Sequence, residues 1–396
     1  MSTSVLAFDA RQCLPKAEHF REQSSLNLVS TRHDNLYAVY LVFYIKFIIN
    51  KAQLIYGDCM ELLKRLIETF GISGDEQPVR ELIHKEIKRY VDDITVDKLG
   101  NLIARQKGKP PRIMLAAHMD EVGLMVKRIN PKGFIYCSEI GGIDAIGLIG
   151  QKVHINTNKG PVHGVITIKE MGAGKSLNKL PNIEDVFIDT GLSKTELIKR
   201  GVIIGSYIYM DQKPYLGSND IITGKALDDR IGCYILIELA KRLKKTKNEV
   251  YFVFTVQEEV GLYGARTSAF QIEPDWGIAI DATHANDVFD DPTRCIGKGP
   301  CITAKDGELI ANRCINEWLI NIAKKKKIPY QLEATELGTT DATNILVSGR
   351  GVPATVLSIP VRNIHTTISI AHKKDIENAI RLLEELLKNP PKKCLV

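Results

Sequence analysis

The strongest constraint on the fold is an alternation of helical and strand patterns that one β-rich stretch interrupts. Residues 112–117 form a short apolar run, as expected for a buried strand of an α/β sheet. After the interruption, a helical pattern at residues 229–244 is followed by the apolar run EVYFVFTV at residues 249–256. Helices and strands then alternate as far as residue 388. This order predicts a mixed-sheet α/β domain.

The interruption spans residues 125–214 and has a different pattern of apolar and polar residues. Short alternating segments are separated there by Gly, Pro and Asn, and no long amphipathic helix is present. Such a pattern predicts a small β-barrel or sandwich. We therefore assign residues 60–124 and 215–396 to one α/β domain, and residues 125–214 to an inserted β-barrel-like domain.

The first 59 residues stand apart from this pattern. Residues 35–50 read NLYAVYLVFYIKFIIN, which is short for a membrane span of roughly 20 residues and lacks the layout of a signal peptide. A packed helix or strand, an interfacial anchor and a translated upstream segment all remain open. We favour the last, with Met60 as the working start, because Met60 opens the first well-patterned helix. No stable membrane span is expected, and residues 1–59 are a disordered extension or a mis-assigned start without an assigned role.

Composition excludes several classes of protein. The 396 residues are 44% hydrophobic and 25% charged, as in globular proteins with a substantial core. The formal net charge of +6 is modest, and lysines cluster only at residues 324–327 and at the end of the chain. A nucleic-acid partner is therefore not expected.

The eight cysteines are scattered and form no C-x-x-C pair. Their spacing predicts neither a zinc knuckle nor a disulfide framework. Several lie in apolar runs, among them Cys233, where a thiol behaves as a small hydrophobic group. A reducing, cytoplasmic setting is the simplest expectation.

Acidic residues and histidines stand at five places where a strand ends or a helix begins. They are His118 with Asp120, Asp228 with Asp229, Glu258 with Glu259, Asp281, and His365. Each place alone has an ordinary explanation, such as a surface turn, helix capping or a structural histidine. Of the Asp228–Asp229 pair, one member is expected to act only as a cap. His284 and Asp287, which follow Asp281, are expected to shape a loop.

The set carries more information than its members. His118, Asp228, Glu259, Asp281 and His365 supply two imidazoles and three carboxylates, which suit zinc, cobalt or manganese. Four of the five follow predicted strands, and catalytic residues of open α/β sheets lie at the carboxyl ends of strands. The sequence therefore predicts a metal site at that edge of the sheet.

Six strings occur in an order that resembles the tetrahedral (TET) dinuclear aminopeptidases, a group that includes glutamyl aminopeptidases and cellulase-M-like proteins. The strings are AAHMDEVG, GKALDDRIG, VQEEVGLYGA, DATHAND, GTTDA and VRNIHTT. The resemblance covers about residues 60–388, with the β-rich insertion between the first two strings. One departure is Thr339, where members of the group often have a second glycine.

The resemblance implies a role for each site residue. It makes Asp228 the bridge between two divalent metal ions per subunit, zinc or cobalt in the first instance. The terminal metal ligands are then His118, Glu259, Asp281 and His365. Glu258 becomes the general base, Asp120 orients His118, and Asp341 of GTTDA lies near the substrate.

The implied function is an aminopeptidase that acts on short peptides with a free N-terminus. The inserted domain is expected to assemble a twelve-subunit hollow tetrahedron. A metal-dependent N-acyl amino-acid deacylase remains open, since it would use the same metals and base. A glycosidase is disfavoured because it needs no metal and leaves the two histidines without a purpose. An inactive metal-bound scaffold is disfavoured because Glu258 supplies a base.

Overall fold

The computed structural model describes residues 60–392 except 170, 172–178, 244–245 and 291, together with residue 394. Apart from Met60, these residues belong to one compact unit, Glu61–Val396. The extension of residues 1–59, including the apolar run at 35–50, lies outside the described part. Within that part, no helix has both the length and the hydrophobicity needed to cross a membrane.

Nine α-helices and seventeen strands follow one another along the described chain. The helices are α1 (60–68), α2 (Gln77–Ile87), α3 (Ala145–Leu148), α4 (Lys194–Lys199), α5 (Leu227–Arg242), α6 (Tyr263–Ile272), α7 (Arg313–Lys326), α8 (Asp341–Leu346) and α9 (Lys373–Lys388). The first nine strands are β1 (Asp93–Val96), β2 (Leu102–Gln106), β3 (Lys109–His118), β4 (Gly123–Ile129), β5 (Ile135–Ile140), β6 (Lys152–Ile155), β7 (Val162–Ile168), β8 (Val186–Asp189) and β9 (Tyr207–Met210). The remaining strands are β10 (Tyr215–Leu216), β11 (Ile221–Gly224), β12 (Asn248–Thr255), β13 (Trp276–His284), β14 (Cys301–Lys305), β15 (Gln331–Ala334), β16 (Ala354–Val361) and β17 (Ser369–His372).

An eight-stranded sheet forms the centre of the α/β part, in the order β1-β2-β12-β3-β13-β16-β14-β15. The four middle strands, β12, β3, β13 and β16, run parallel to their neighbours within this group. All eight residues of β16 are buried, as expected for a strand that is covered on both faces. The carboxyl ends of these four strands therefore meet at one edge of the sheet.

Helices pack against this sheet and complete the core. Helix α5 packs on β3 and β13, and fourteen of its sixteen residues are buried, which explains why its sequence is apolar on nearly every side. Helices α6 and α8 contribute Ala265, Ala269 and Ile345 to a cluster with Met114 and Ala116 of β3. The predicted α/β fold with a mixed sheet is confirmed.

Strands β4 to β9 close into a six-stranded barrel in the order β4-β5-β8-β7-β6-β9. Inward side chains of these strands, including Leu124, Ile166 and Ile208, form a separate hydrophobic cluster. The predicted β-barrel-like fold is therefore present. Its first strand begins at Gly123, two residues before the boundary that the sequence pattern indicated.

Two local features do not follow from the sequence pattern. Helix α7 begins at Arg313, because the side chain of Asn312 caps it by accepting a hydrogen bond from the N–H of Ile315. Cys314 and Cys394 form a disulfide, although the cysteine pattern predicted no disulfide framework. They are 80 residues apart, so their spacing carried no signal. Cys233 is buried and free, as its apolar surroundings predicted.

Candidate metal centre and active site

The edge of the sheet where the parallel strands end carries a cavity of about 570 Å³. It is lined by side chains that the sequence singled out: His118, Asp228, Glu258, Glu259, Asp281 and His365. His118 is the last residue of β3, Asp281 lies within β13, and the two glutamates follow β12. Asp228 comes from the start of α5. Residues up to 247 positions apart in the sequence are thus brought into one cavity.

Asp228 lies between the two histidines. Its Oδ1 is 3.0 Å from Nε2 of His118, and its Oδ2 is 3.2 Å from Nε2 of His365. Asp281 adds a carboxylate oxygen 3.7 Å from Nε2 of His118, and Glu259 adds one 3.4 Å from Nε2 of His365. The five side chains therefore form two adjacent nitrogen and oxygen groups that share Asp228.

Asp229 belongs to the same region in a different way. Its Oδ1 accepts a hydrogen bond from the N–H of Gly232 at 2.8 Å, so it caps α5 as expected for one member of the pair. Its Oδ2 is buried and has no hydrogen-bond partner among the described residues. Asp229 also groups with His118 and Asp281, with one ligand-type atom from each lying within 4.8 Å of the others. Sequence reasoning assigned it capping alone and missed this second contact.

Asp120 is fully buried behind the cavity wall and holds three neighbouring elements. Its Oδ1 lies 3.5 Å from Nδ1 of His118 and accepts the backbone N–H of Glu258 at 3.1 Å. Its Oδ2 accepts the hydroxyl of Ser73 at 2.6 Å and the N–H of Glu259 at 3.2 Å. Asp120 therefore fixes the orientation of an imidazole and of the two adjacent glutamates.

Asp341 occupies a different position from the other predicted residues. It is 2% exposed, and its Oδ2 accepts the hydroxyl hydrogen of Thr255 at 2.5 Å. It is not among the residues that line the cavity, whereas the preceding Thr340 is. Its expected proximity to the substrate stays a prediction.

Burial raises the pKa of most carboxyl groups at the site. It raises the pKa of Glu259 to about 8 and that of Asp281 to about 6, and carboxylates beside each add to the effect. Burial also places the pKa of Glu258 well above its ordinary value. These groups crowd negative charge into a poorly solvated space, where a bound cation would stabilise them.

The pKa values of the two imidazoles are raised as well, which for these groups favours the charged form. Burial alone would lower the pKa of His365, but the contacts with Asp228 and Glu259 raise it to about 9. The pKa of His118 likewise lies well above its usual value, because Glu258 and neighbouring carboxylates outweigh the effect of burial. Carboxylates that stabilise a protonated imidazole equally stabilise a metal cation bound between them.

The backbone adopts a left-handed conformation at one site residue, His365, and at two positions close to other site residues. The φ angles are +51° at Ala226, +54° at Gln257 and +58° at His365. Non-glycine residues in this region cost on the order of 1–3 kcal/mol each and persist only where the surroundings enforce them. Their position beside Asp228 and Glu258 indicates that the fold holds these side chains in place at some cost in stability.

The donor set fits a divalent metal centre. Imidazole nitrogens and carboxylate oxygens are the ligands that zinc and cobalt take in proteins. Oε1 of Glu259 and Oδ2 of Asp229 are buried without a hydrogen-bond partner among the described residues, so both have free coordinating capacity. The cluster is therefore a candidate metal-binding site.

A second polar group lines the same cavity and was missed by sequence reasoning. Its members are Thr283, Arg294, Thr303, Glu333 and Ser358. Thr303 and Glu333 lie on β14 and β15, two short strands that the sequence pattern did not reveal. Of the two residues expected to shape the loop after β13, Asp287 forms an ion pair with Arg362, and His284 faces the cavity.

Comparison with known proteins assigns the chain to a family. The sequence profile of the M42 glutamyl aminopeptidases matches residues 100–382. A lysyl aminopeptidase of Pyrococcus furiosus is 36% identical over 335 residues, which are 83% of this chain and 96% of that protein.

Solved structures give the same result. A TET aminopeptidase from a marine-sediment thaumarchaeon is 38% identical with a TM-score of 0.81, over 84% of this chain and 97% of that one. The TET1 peptidase of Pyrococcus horikoshii, which assembles into a tetrahedron or a large octahedral shell, is 33% identical with a TM-score of 0.77, over 84% and 99%. By profile, sequence and fold, this chain belongs to the M42 glutamyl aminopeptidase family.

Proposed function

We propose that this chain is an aminopeptidase that removes N-terminal residues from short peptides at a site holding two divalent metal ions. The observation that carries the proposal is the position of Asp228 between His118 and His365, with one further carboxylate beside each imidazole. Membership of an aminopeptidase family supports the reaction type.

The distances favour one division of the ligands. His118 and Asp281 would hold one ion, His365 and Glu259 the other, and Asp228 would bridge them. Zinc or cobalt suits this set. Divalent ions bound there would supply Lewis-acid polarisation of a carbonyl and would lower the pKa of a bound water molecule to about 7.

Glu258 is the proposed general base. Its Oε2 lies 3.9 Å from Nε2 of His118, so the carboxylate lies next to the ligand cluster, yet it joins neither of the two candidate ligand groups. Its carboxylate would take a proton from the attacking water and pass it to the departing amine. Asp120 acts as a positioning residue, since it holds the backbone of Glu258 and the ring of His118.

The barrel is the proposed assembly domain. Ile198, Ile203 and Ile204, between β8 and β9, are 53%, 64% and 72% exposed, so their apolar side chains are available for contact with another subunit. We propose a twelve-subunit particle like the tetrahedron described for the Pyrococcus horikoshii relative. A single peak of dodecamer mass in light scattering is expected, whereas a monomer at micromolar concentration would contradict assembly.

Paired substrates test the proposed function. We expect hydrolysis of amino-acid p-nitroanilides that carry a free α-amine, and none of their N-acetyl counterparts. This activity should disappear with a chelator and return with zinc or cobalt. Release of acetate from the N-acetyl compounds, without release of p-nitroaniline from the free-amine compounds, would instead make the chain a deacylase.

A further inference from the structure

The peptide that carries Glu258 is held by side chains rather than by strand pairing. Strand β12 ends at Thr255, and its pairing with β3 ends there as well. Each of the next four backbone N–H groups is accepted by a side chain from another part of the chain: that of Val256 by Asn101, that of Gln257 by Glu76, and those of Glu258 and Glu259 by Asp120. Three polar side chains thus fix the backbone around Glu258.

Glu76 makes the bond to Gln257, the residue immediately before Glu258. Its Oε1 accepts the N–H of Gln257 at 3.2 Å and that of Gly74 at 2.7 Å, and its side chain is buried. Gln257 has a φ angle of +54°, a left-handed conformation that non-glycine residues keep only where the surroundings enforce it. The hydrogen bond from Glu76 therefore acts at the backbone position that sets the direction in which the chain enters Glu258.

A simpler role for Glu76, as a helix cap, does not agree with its contacts. Glu76 is the N-cap residue of α2, where an acidic side chain often accepts an N–H group of the first turn. Its side chain makes no such bond. The carboxylate instead accepts the N–H of a residue 181 positions away in the sequence. The side chain of Glu76 therefore stabilises the peptide at Gln257 and the turn at Gly74 rather than the end of α2.

The turn that carries Glu76 is itself held in place by two hydrogen bonds. The hydroxyl of Tyr209, on β9 of the barrel, donates to Oδ2 of Asp75. The hydroxyl of Ser73 donates to Oδ2 of Asp120 at 2.6 Å. The turn is therefore fixed to the barrel on one side and to the wall of the cavity on the other. Supporting hydrogen bonds of this kind hold a reacting group to within about 0.5 Å of its productive position.

We infer that Glu76 is a positioning residue for the reaction, and that it holds the backbone at Gln257 so that the carboxylate of Glu258 faces the cavity. The inference rests on the proposed role of Glu258 as general base and deepens it. Glu76 is not among the described residues that line the cavity, and it belongs to neither candidate ligand group. It therefore acts through the peptide backbone, where a displacement of about 1 Å is enough to lower a rate by roughly 100-fold.

The first experiment compares E76M with E76Q, using the amino-acid p-nitroanilide that the wild type cleaves fastest. Methionine has a similar length and no acceptor of comparable strength, so kcat should fall by about 10- to 100-fold with KM and metal content unchanged. Glutamine keeps one carbonyl oxygen, which is sufficient because Oε1 alone accepts both N–H groups, so kcat should stay within about twofold of the wild type. E81M, at an exposed position on α2, is the control and should keep the wild-type kcat.

The second experiment repeats E76M in the E258Q background, with enzyme in excess over substrate. If Glu76 acts through Glu258, the second replacement should change the rate by less than about twofold, because the group that Glu76 positions is already lost. A general structural defect would instead lower the rate by the same factor in both backgrounds, and that result would overturn the inference. A wild-type kcat in E76M, or an equal loss in E76Q, would also overturn it and leave the proposed function intact. A wild type that cleaves no free-amine p-nitroanilide would contradict the proposed function itself.

Hydrogen exchange gives a measurement that does not depend on activity. In peptides that cover residues 256–259, amide exchange should be faster by about 10-fold in E76M and unchanged in E76Q and E81M, with helix α7 as the internal reference. If E76M does not fold, E76D replaces it in all three measurements, since aspartate keeps the charge but withdraws the acceptor oxygen by one methylene group. Wild-type exchange at residues 256–259 in the variant without the acceptor at this place would contradict the inference.

Discussion

Asp120 accepts a hydrogen bond from the backbone N–H of Glu258, with 3.1 Å between the nitrogen and Oδ1. The same carboxylate lies 3.5 Å from Nδ1 of His118. One buried side chain therefore fixes the orientation of a candidate metal ligand and of the proposed general base. The two parts of the site are joined through a residue that does not line the cavity.

Replacing Asp120 by Asn should weaken the positioning of both His118 and Glu258. An amide has one acceptor oxygen, so D120N cannot accept N–H groups on both sides as the carboxylate does. We expect metal affinity and kcat/KM to fall by about 10- to 100-fold with the fold retained. Metal titration and steady-state kinetics, with circular dichroism, measure these effects. D211N, which changes an exposed aspartate after β9, is the control and should keep the metal affinity and kcat/KM of the wild type. Wild-type values in D120N would contradict the positioning role.

Replacing Glu258 by Gln should separate chemistry from metal binding. Glutamine cannot take up the proton, so kcat should fall by about 10²- to 10⁴-fold. Metal content should stay at the wild-type level, because Glu258 joins neither candidate ligand group. Kinetics and elemental analysis of the same sample measure both quantities. Loss of metal in E258Q would make Glu258 a ligand rather than the base.

Replacing His365 by Ala tests the number of metal ions. If His365 and Glu259 hold one ion and His118 and Asp281 the other, H365A should retain about one ion per chain instead of two. H284A is the matched control, because His284 lines the same cavity but is not one of the five proposed ligands. Elemental analysis should find two ions in H284A. Equal loss in both variants would contradict the ligand assignment.

Much of the fold and of the candidate metal site was predictable from the sequence. Apolar runs mark β3, β12 and β16, and His118, Glu259 and His365 stand where such runs end. The fold of the inserted barrel followed from its alternating segments and frequent Gly. These signals are local, so one sequence is sufficient to read them.

Other parts were not predictable, because they depend on contacts between distant residues. Glu333 accepts hydrogen bonds from Thr283 and Thr303 and pairs with Arg294, and these residues come from other strands and loops. Its strand, β15, has only four residues and only one of them is buried. The sequence therefore contains no apolar run that would indicate a strand there. The second contact of Asp229 likewise requires the folded start of α5.

Glu121 provides a prediction about stability. Both of its carboxylate oxygens lie 2.7 Å from Nζ of Lys225, and Oε1 lies 3.3 Å from NH2 of Arg230, with all three side chains buried. E121Q would leave two buried cations without a counter-charge, so the free energy of unfolding should fall by about 3–5 kcal/mol. Urea denaturation measures this change. E139Q, at an exposed position on β5, is the control and should leave the free energy of unfolding unchanged. An unchanged free energy of unfolding in E121Q as well would contradict the account.

The metal content of the purified protein, measured together with aminopeptidase activity during chelation and reconstitution, tests the central claim most directly. The account predicts about two divalent ions per chain, loss of activity as the ions are removed, and recovery as zinc or cobalt is restored to the same stoichiometry. Activity on free-amine substrates that persists unchanged in protein shown to be free of metal would contradict it.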